Sequence, residues 1–230
     1  MAFTLDRVVP WGRSFDEYVA MFALTEADLQ DRILGCGDGP AAFNCTLTQR
    51  GGRVVSLDPL YQFSTTEIRD RIRDTFDDIL QKVSDNAQDF VWDAIASPEQ
   101  LGQVRQAAMD EFLADYAVGK AAGRYLPHAL PTLPFGDRSF DLALCSHFLL
   151  LYSAQLDLAF HIASLLEMAQ VASEVRIFPV VELGNARSRH LNPLIATLRD
   201  RGYTVEIVPV AYEFQRGGHE MLRLTQPLLP

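Results

Sequence analysis

The sequence predicts an α/β fold built on a mostly parallel sheet whose last strand is reversed, and three observations predict it. Apolar, β-branched runs alternate with helix-period segments, the arrangement that lays helices over a parallel sheet. An apolar run ends in glycines at alternate positions, Gly35, Gly37 and Gly39 of ILGCGDGP, and a second run, VVSLDP, ends in Asp58, eighteen residues beyond Pro40. The C-terminal runs follow one another with too little chain for a crossover helix, which forces antiparallel neighbours.

The elements follow in order. Residues Arg32 to Cys36 read as the first strand and Pro40 to Arg50 as a helix, with Pro40 at a first-turn position where its missing N–H has no partner to lose. Arg53 to Leu57 is the second strand. FDLALC, Phe140 to Cys145, is the fourth, and EVRIFPV, Glu174 to Val180, the fifth, with a helix from Gln155 to Val171 between them. Leu194 to Arg201 reads as a further helix with Gly202 at its C-cap, followed by a strand at Thr204 to Val208. Ala211 to Arg216, a turn at Gly217-Gly218 and a strand at Glu220 to Thr225 close the chain.

Between the second strand and LPTLPF lies a helical stretch, about 65–122, too long for a simple crossover. Ile68, Ile72, Phe76, Ile79, Leu80 and Val83 recur at helical spacing. A second helix begins where Ser97 caps and Pro98 takes the first helical position, and runs through Leu101, Val104, Ala108, Phe112 and Tyr116. The pair reads as a helical insertion beside the C-terminal edge of the sheet, where such folds bind ligands, and so as a lid. The organisation expected is an N-terminal helical arm over 1–31 and one domain over 32–230.

Composition narrows the function. Nearly half the residues, 48%, are apolar, enough for one principal core. A net charge of −10 with no basic stripe argues against nucleic acid as a partner. MAFTLDRVV has an early acid and no sustained apolar run, so it reads as neither a signal peptide nor a membrane span. Cys36, Cys45 and Cys145 have no metal-ligand spacing and fall in or beside core elements, which points to buried thiols, no metal and a reducing, cytoplasmic setting. Oligomeric state is left open. Glycine, lacking a Cβ, lets the backbone turn tightly and approach a ligand. An acid closing the next strand can accept hydrogen bonds from ribose hydroxyls. Together they describe a nucleoside-containing cofactor across the first crevice of the sheet.

The order ILGCGDGP, VVSLDP, LPTLPFGDRSFDLALCSHFLLL, EVRIFPV and a terminal hairpin resembles the class I S-adenosylmethionine-dependent methyltransferases, from about Ile33 to Thr225 less the insertion. LPF with a short polar turn and SFDL is typical of small-molecule members. The resemblance implies a Rossmann-like seven-stranded sheet with an antiparallel last strand, S-adenosylmethionine as cofactor and a small-molecule methyl acceptor. It implies that the loop Gly35, Cys36, Gly37, Asp38 and Gly39 holds the cofactor, that Asp58 takes the ribose, and that Pro59 with Leu60 or Tyr61 flanks the adenine. Leu133, Pro134 and Phe135 match the segment before the fourth strand, and Ser146 and His147 match that strand's end, which faces the methyl group. An N-terminal arm in this family often folds over the cofactor, so Arg13, before an S-x-x-E capping box at Ser14 and Glu17, is set against the methionine carboxylate; the alternative is a solvated arginine.

His147 is the catalytic candidate, a general base with an imidazole that titrates near neutrality, or else a cap or packing residue. Tyr152 and His161 lie in apolar helical context and read as packing residues. His190, Asn192 and Arg187 follow the fifth strand, where acceptor contacts often arise, and Tyr212, Glu213, Arg216 and His219 flank the final turn. CSHF stands where Asp/Asn-Pro-Pro-Tyr would mark transfer to a nucleobase amine. Two positions depart from the family pattern: Ile33 stands where an acid usually precedes the first glycine, and Ala129, beside His128, where an acid usually precedes LPF. Two other readings stay open, a non-catalytic S-adenosylmethionine-binding protein and an NAD(P)-dependent oxidoreductase, the latter opposed by Pro40 where a dinucleotide loop wants glycine.

Overall fold

The computed structural model describes Leu5 and residues 9–226; residues 1–4 and 6–8 of the expected arm, and 227–230, lie outside the described residues. The first half of the chain contains α1 (Phe15–Met21), β1 (Arg32–Cys36), α2 (Phe43–Gln49), β2 (Arg53–Leu57), α3 (Thr65–Asp85), α4 (Pro98–Ala121) and β3 (Tyr125–Leu126). The second contains β4 (Phe140–Ser146), α5 (Leu158–Val171), β5 (Ala172–Phe178), α6 (Leu191–Asp200), β6 (Thr204–Pro209) and β7 (Glu220–Thr225). The strands form one seven-stranded sheet in the order β3-β2-β1-β4-β5-β7-β6. All pairs from β3 to β5 are parallel, and β7 runs antiparallel to both β5 and β6.

That order positions the site. The chain builds outward from β1 to β2 and β3, then returns to lay β4 on the other side of β1, so the strand order reverses between β1 and β4. Loops leaving the two strands there diverge and open a crevice at their C-terminal ends. Both strands are buried on both faces, with only Arg32 of β1 exposed, as central parallel strands sandwiched by helices must be. One layer packs α5 and α6 against β4, β5 and β7 through Leu165, Met168, Leu194 and Leu198. The other packs α1 and α2 through Phe15, Tyr18, Met21 and Phe43, with Tyr18 and Phe43 stacked at 4.7 Å.

The stretch after β2 divides into two helices of different use. In α3, Ser64 and Glu67 close a capping box, and the helix runs over the mouth of the crevice. In α4, Ser97 accepts the Gln100 N–H at 3.2 Å with Pro98 at the first position. This second helix packs on α2 and α3 and delivers the chain to β3. Tyr61, Phe112, Tyr116 and Tyr125 form the aromatic core beneath it.

Several boundaries differ from the sequence expectation, each for a local reason. α2 begins at Phe43, because Gly37 and Gly39 hold φ of +70° and +55° and the Ala42 N–H donates to the Arg13 carbonyl, keeping Pro40 in the loop. α5 begins at Leu158, where Asp157 accepts the Phe160 N–H at 2.8 Å. β5 ends at Phe178, because Pro179 has no N–H to extend the ladder. α6 begins at Leu191. Ala211 to Arg216 forms no strand beyond one bridge between Gln215 and Phe90. β3 is two residues long and has no sequence signal.

Candidate functional site

A cavity of about 580 Å³ opens at the C-terminal ends of β1, β2 and β4 beneath α3, a size typical of small-molecule sites. Arg13, Cys36, Gly37, Asp38, Gly39, Asp58, Pro59, Leu60, Ser146 and His147 all line it, together with His128, Ala129 and Leu133. Of the site residues expected from sequence, Gly35 does not line the wall, and it has a different use.

Gly35 makes room for a carboxylate. A methyl group there would fall on Asp38 Oδ2, so the absence of a Cβ lets the Asp38 side chain fold back beneath the loop. Tyr18 OH donates to Asp38 Oδ1 at 3.0 Å and Ser56 Oγ to Oδ2 at 2.6 Å. Burial raises the Asp38 carboxyl to about 7 against the pull of those two donors, with nearby Asp58 adding to the rise. The loop itself is tied to β2 by the Gly37 N–H, which donates to the Leu57 carbonyl at 2.8 Å.

Asp58 sits where β2 ends. Its Oδ2 accepts the Gly39 N–H at 2.9 Å and its Oδ1 the Leu60 N–H at 2.7 Å, so both oxygens are anchored and each keeps a lone pair. Burial raises this carboxyl too, opposed by the two backbone donors. A Cβ on Gly39 would meet only Asp58 Oδ2, at 4.0 Å, so the wall over Gly39 stands open. Leu60 faces the cavity, whereas Tyr61 is wholly buried and donates to the Gly39 carbonyl at 2.7 Å.

At the end of β4, His147 takes a left-handed φ of +52° that turns its half-buried ring to the cavity, and its N–H donates to the Phe178 carbonyl at 2.7 Å. Its Nδ1 lies 2.9 Å from Ser146 Oγ and its ring stands edge-on to Phe178 at 5.4 Å. Burial, and then the fields of Arg13 and Arg105, hold the imidazole well below 6.5, so it is neutral at physiological pH.

The segment before α1 closes one end. Gly12 lets it lie against the loop, since a Cβ there would fall on the Pro40 carbonyl oxygen. Arg13 Nη1 donates to the Trp11 carbonyl at 2.9 Å. Glu17, buried, accepts from the Ser14 N–H and from Arg105 Nη1 on Oε2 and from Tyr212 OH on Oε1. Burial works to raise the Glu17 carboxyl, but Arg105, with Arg13 and Ser14, brings it down to about 2.

The remaining sequence candidates separate. Tyr152 lines the cavity, its phenol pushed up to about 12 by burial. His161 is fully buried away from the cavity, where its Nε2 accepts the Leu150 N–H at 3.2 Å. Arg187 pairs with Glu220 at 2.9 Å, His190 Nε2 lies 3.1 Å from the Ser153 carbonyl, and Tyr212 is committed to Glu17. Neither these three nor Asn192, Glu213, Arg216 and His219 line the cavity. Sequence reasoning missed Phe90, Phe214 and Gln215, which reach the cavity from separate parts of the chain and have no local signature, Phe148 beside His147, and Arg105, which does not line the cavity but pairs with Glu17.

No helix among the described residues is long and apolar enough to cross a membrane, and Cys36, Cys45 and Cys145 are buried free thiols. No family model matches the chain. An uncharacterized protein of Methanocaldococcus jannaschii is 29% identical over 212 residues, 92% of this chain and 93% of that one. Solved structures that this chain resembles include the magnesium protoporphyrin IX methyltransferase of Synechocystis with bound S-adenosylhomocysteine, at 15% identity and a TM-score of 0.47 over 92% of this chain and 81% of that one. They also include a Burkholderia thailandensis 1,6-didemethyltoxoflavin-N1-methyltransferase with bound 1,6-didemethyltoxoflavin and S-adenosylhomocysteine, at 12% identity and a TM-score of 0.46 over 93% of this chain and 77% of that one.

Proposed function

We propose that this chain is an S-adenosylmethionine-dependent methyltransferase acting on a small-molecule acceptor. The observation that carries the reading is one cavity wall: a glycine loop in left-handed backbone, open over Gly39, beside a buried carboxylate, Asp58, held by that loop's own N–H groups. The residues present suit the group. The spare lone pairs of Asp58 would suit a ribose diol, and Leu60, Leu133 and His128, which line the same cavity, would be the residues beside a purine.

When bound, S-adenosylmethionine would supply an activated methyl group on a positively charged sulfur, with Asp58 and the Gly37–Gly39 loop as the residues that would hold it. The protein's task is then alignment and exclusion of water. His147, neutral and at the end of β4, takes the proton an acceptor must lose when Ser146 accepts from Nδ1–H and leaves Nε2 with its lone pair. Its lowered basicity makes this a weak base, suited to orienting an acceptor as much as to deprotonating it.

Isothermal titration with S-adenosylmethionine, S-adenosylhomocysteine and NADH, on wild type and Asp58→Ala, tests the reading. Binding of the sulfonium and its product, weakened about 10- to 100-fold in the variant as expected for lost charge-assisted hydrogen bonds, supports it. No binding of either, or binding of NADH alone, overturns it.

A further inference from the structure

The sheet order gives the cavity two ends, with His147 between them. The glycine loop and Asp58 leave β1 and β2 on one side of β4, and the segments that follow β5 and precede β7 lie on the other. On that second side the chain is tied into one wall. The Val91 N–H donates to the Phe214 carbonyl at 2.8 Å, Phe90 bridges Gln215, and the Gln215 amide donates to the Glu182 carbonyl at 2.8 Å. The Leu183 N–H donates to the Leu151 carbonyl at 3.0 Å, which joins this wall to the turn after β4. Phe90 and Phe214 stack there with ring centroids 4.9 Å apart, and both line the cavity.

The wall changes in polarity from one end to the other. Along α3 the cavity meets first Arg71, Asp74 and Thr75, with Arg71 over the Phe63 ring at 3.8 Å, and then Ile79 and Val83, the latter packed with Phe90 and Phe214. Arg13 is held at the glycine-loop end: its carbonyl accepts the Ala42 N–H at 2.9 Å, and a Cβ on the neighbouring Gly12 would fall on the Pro40 carbonyl oxygen. The far end keeps Trp11, Val83, Phe90, Leu183 and Phe214, with the amide nitrogen of Gln215 already used. A charged group placed there would give up water for no partner, whereas an aromatic ring gains offset or edge-on packing against the phenylalanine pair. His147 is the polar point at the boundary. Ser146 Oγ donates to Met21 Sδ at 3.9 Å, so its oxygen is left to accept the Nδ1–H at 2.9 Å and Nε2 is left as an acceptor.

We infer that the methyl acceptor is an uncharged aromatic molecule, its ring lodged at the far end of the cavity against Phe90 and Phe214 and its hydroxyl or N–H group turned to His147. The inference rests on the methyltransferase reading, which assigns the glycine-loop end to the cofactor. Phe90 and Phe214 then select the ring, and His147 selects a hydrogen-bond donor on its edge. Tyr152, which lines the same cavity, adds an uncharged hydroxyl and no ionic partner.

The test saturates the protein with S-adenosylhomocysteine and then titrates two matched pairs at pH 7, naphthol beside decahydronaphthol and naphthamide beside naphthoate, all substituted at the same ring position. The first pair differs in aromaticity and the second in charge. Naphthol is expected to bind at least about threefold more tightly than its saturated counterpart, and naphthamide at least about tenfold more tightly than the carboxylate. In Phe214→Leu the preference for naphthol over decahydronaphthol should disappear while S-adenosylhomocysteine affinity is unchanged. Equal binding within either pair overturns the inference and needs no variant to fold, as does tighter binding of the carboxylate or no binding of any of the four at about 1 mM. Displacement of S-adenosylhomocysteine by naphthol puts the ring at the cofactor's end and overturns it too, and so does an undiminished preference in folded Phe214→Leu. Failure of wild type to bind S-adenosylhomocysteine refutes the methyltransferase reading, and this inference with it, before any ring compound is added.

Discussion

Replacing Glu17 by glutamine removes the negative charge paired with the buried Arg105 guanidinium while keeping the size of the side chain. Glu17 is 9% exposed, and Arg105 beside it is 0% exposed, so water cannot take over the lost charge. The carboxyl falls from 4.5 in an unperturbed chain to about 2 here. At about 1.4 kcal/mol per tenfold change in proton affinity, that corresponds to about 3 kcal/mol of stability at neutral pH. The low end of the range for breaking a buried ion pair by removing one partner, about 3–5 kcal/mol, agrees. Glu17→Gln is therefore expected to unfold about 3 kcal/mol more readily at pH 7, a fall of roughly 6–12 °C in melting temperature for a chain of this length. The folded-state value lies below the unfolded one, so the contribution is complete above 4.5 and is lost as pH falls toward 2. Urea unfolding of both proteins at pH 7 and pH 3 should show the gap roughly halve at the lower pH. The double variant Glu17→Gln/Arg105→Met, which removes the stranded cation as well, should recover most of the loss. A gap below about 1 kcal/mol at pH 7, or one equally large at pH 3, would refute the electrostatic account of this cluster.

Three further outcomes follow from the same geometry. Asp38, raised from 3.8 to about 7, contributes stability that is full below 3.8 and lost as pH rises through about 7; Asp38→Asn should remove that slope from the melting temperature between pH 5 and 8, and a slope identical to wild type would contradict it. Gly35→Ala places a methyl group on the Asp38 carboxylate and should destabilise by about 1–3 kcal/mol in urea; a change within about 0.5 kcal/mol would mean the carboxylate is not packed there. With an acceptor in hand, His147→Asn should lower kcat at least about tenfold, short of the loss expected for a base matched to neutral pH, while leaving S-adenosylhomocysteine affinity unchanged, and full turnover would remove His147 from the chemistry.

How much of this was legible beforehand depended on the range of the signal. β1 and β2 matched the sequence expectation to the residue, because a run of buried β-branched and aliphatic side chains closed by glycine or aspartate is a local pattern. The Ser97-Pro98 start of α4 was equally plain, since capping is decided by four adjacent residues. The start of α2 was not, because it depends on a hydrogen bond from Ala42 to Arg13, nearly thirty residues away. β3 was invisible for a similar reason: Tyr125 and Leu126 form a strand only because β2 offers them a partner.

The sequence by itself determined the sheet's central strands, the reversal of its last one, and the glycine loop and Asp58 that meet across the first crevice. These rest on backbone conformation and side-chain periodicity, which act between neighbours along the chain. The tertiary structure decided the charge states. Asp38 near 7, Glu17 near 2 and a neutral His147 all follow from burial and from partners that arrive from distant segments. It also decided the apolar walls contributed by Phe90 and Phe214, and the pairing of Arg105 with Glu17 beside a cavity that Arg13 lines. Electrostatic free energy depends on distance and on exclusion of water, and both exist only once the chain has closed around the site.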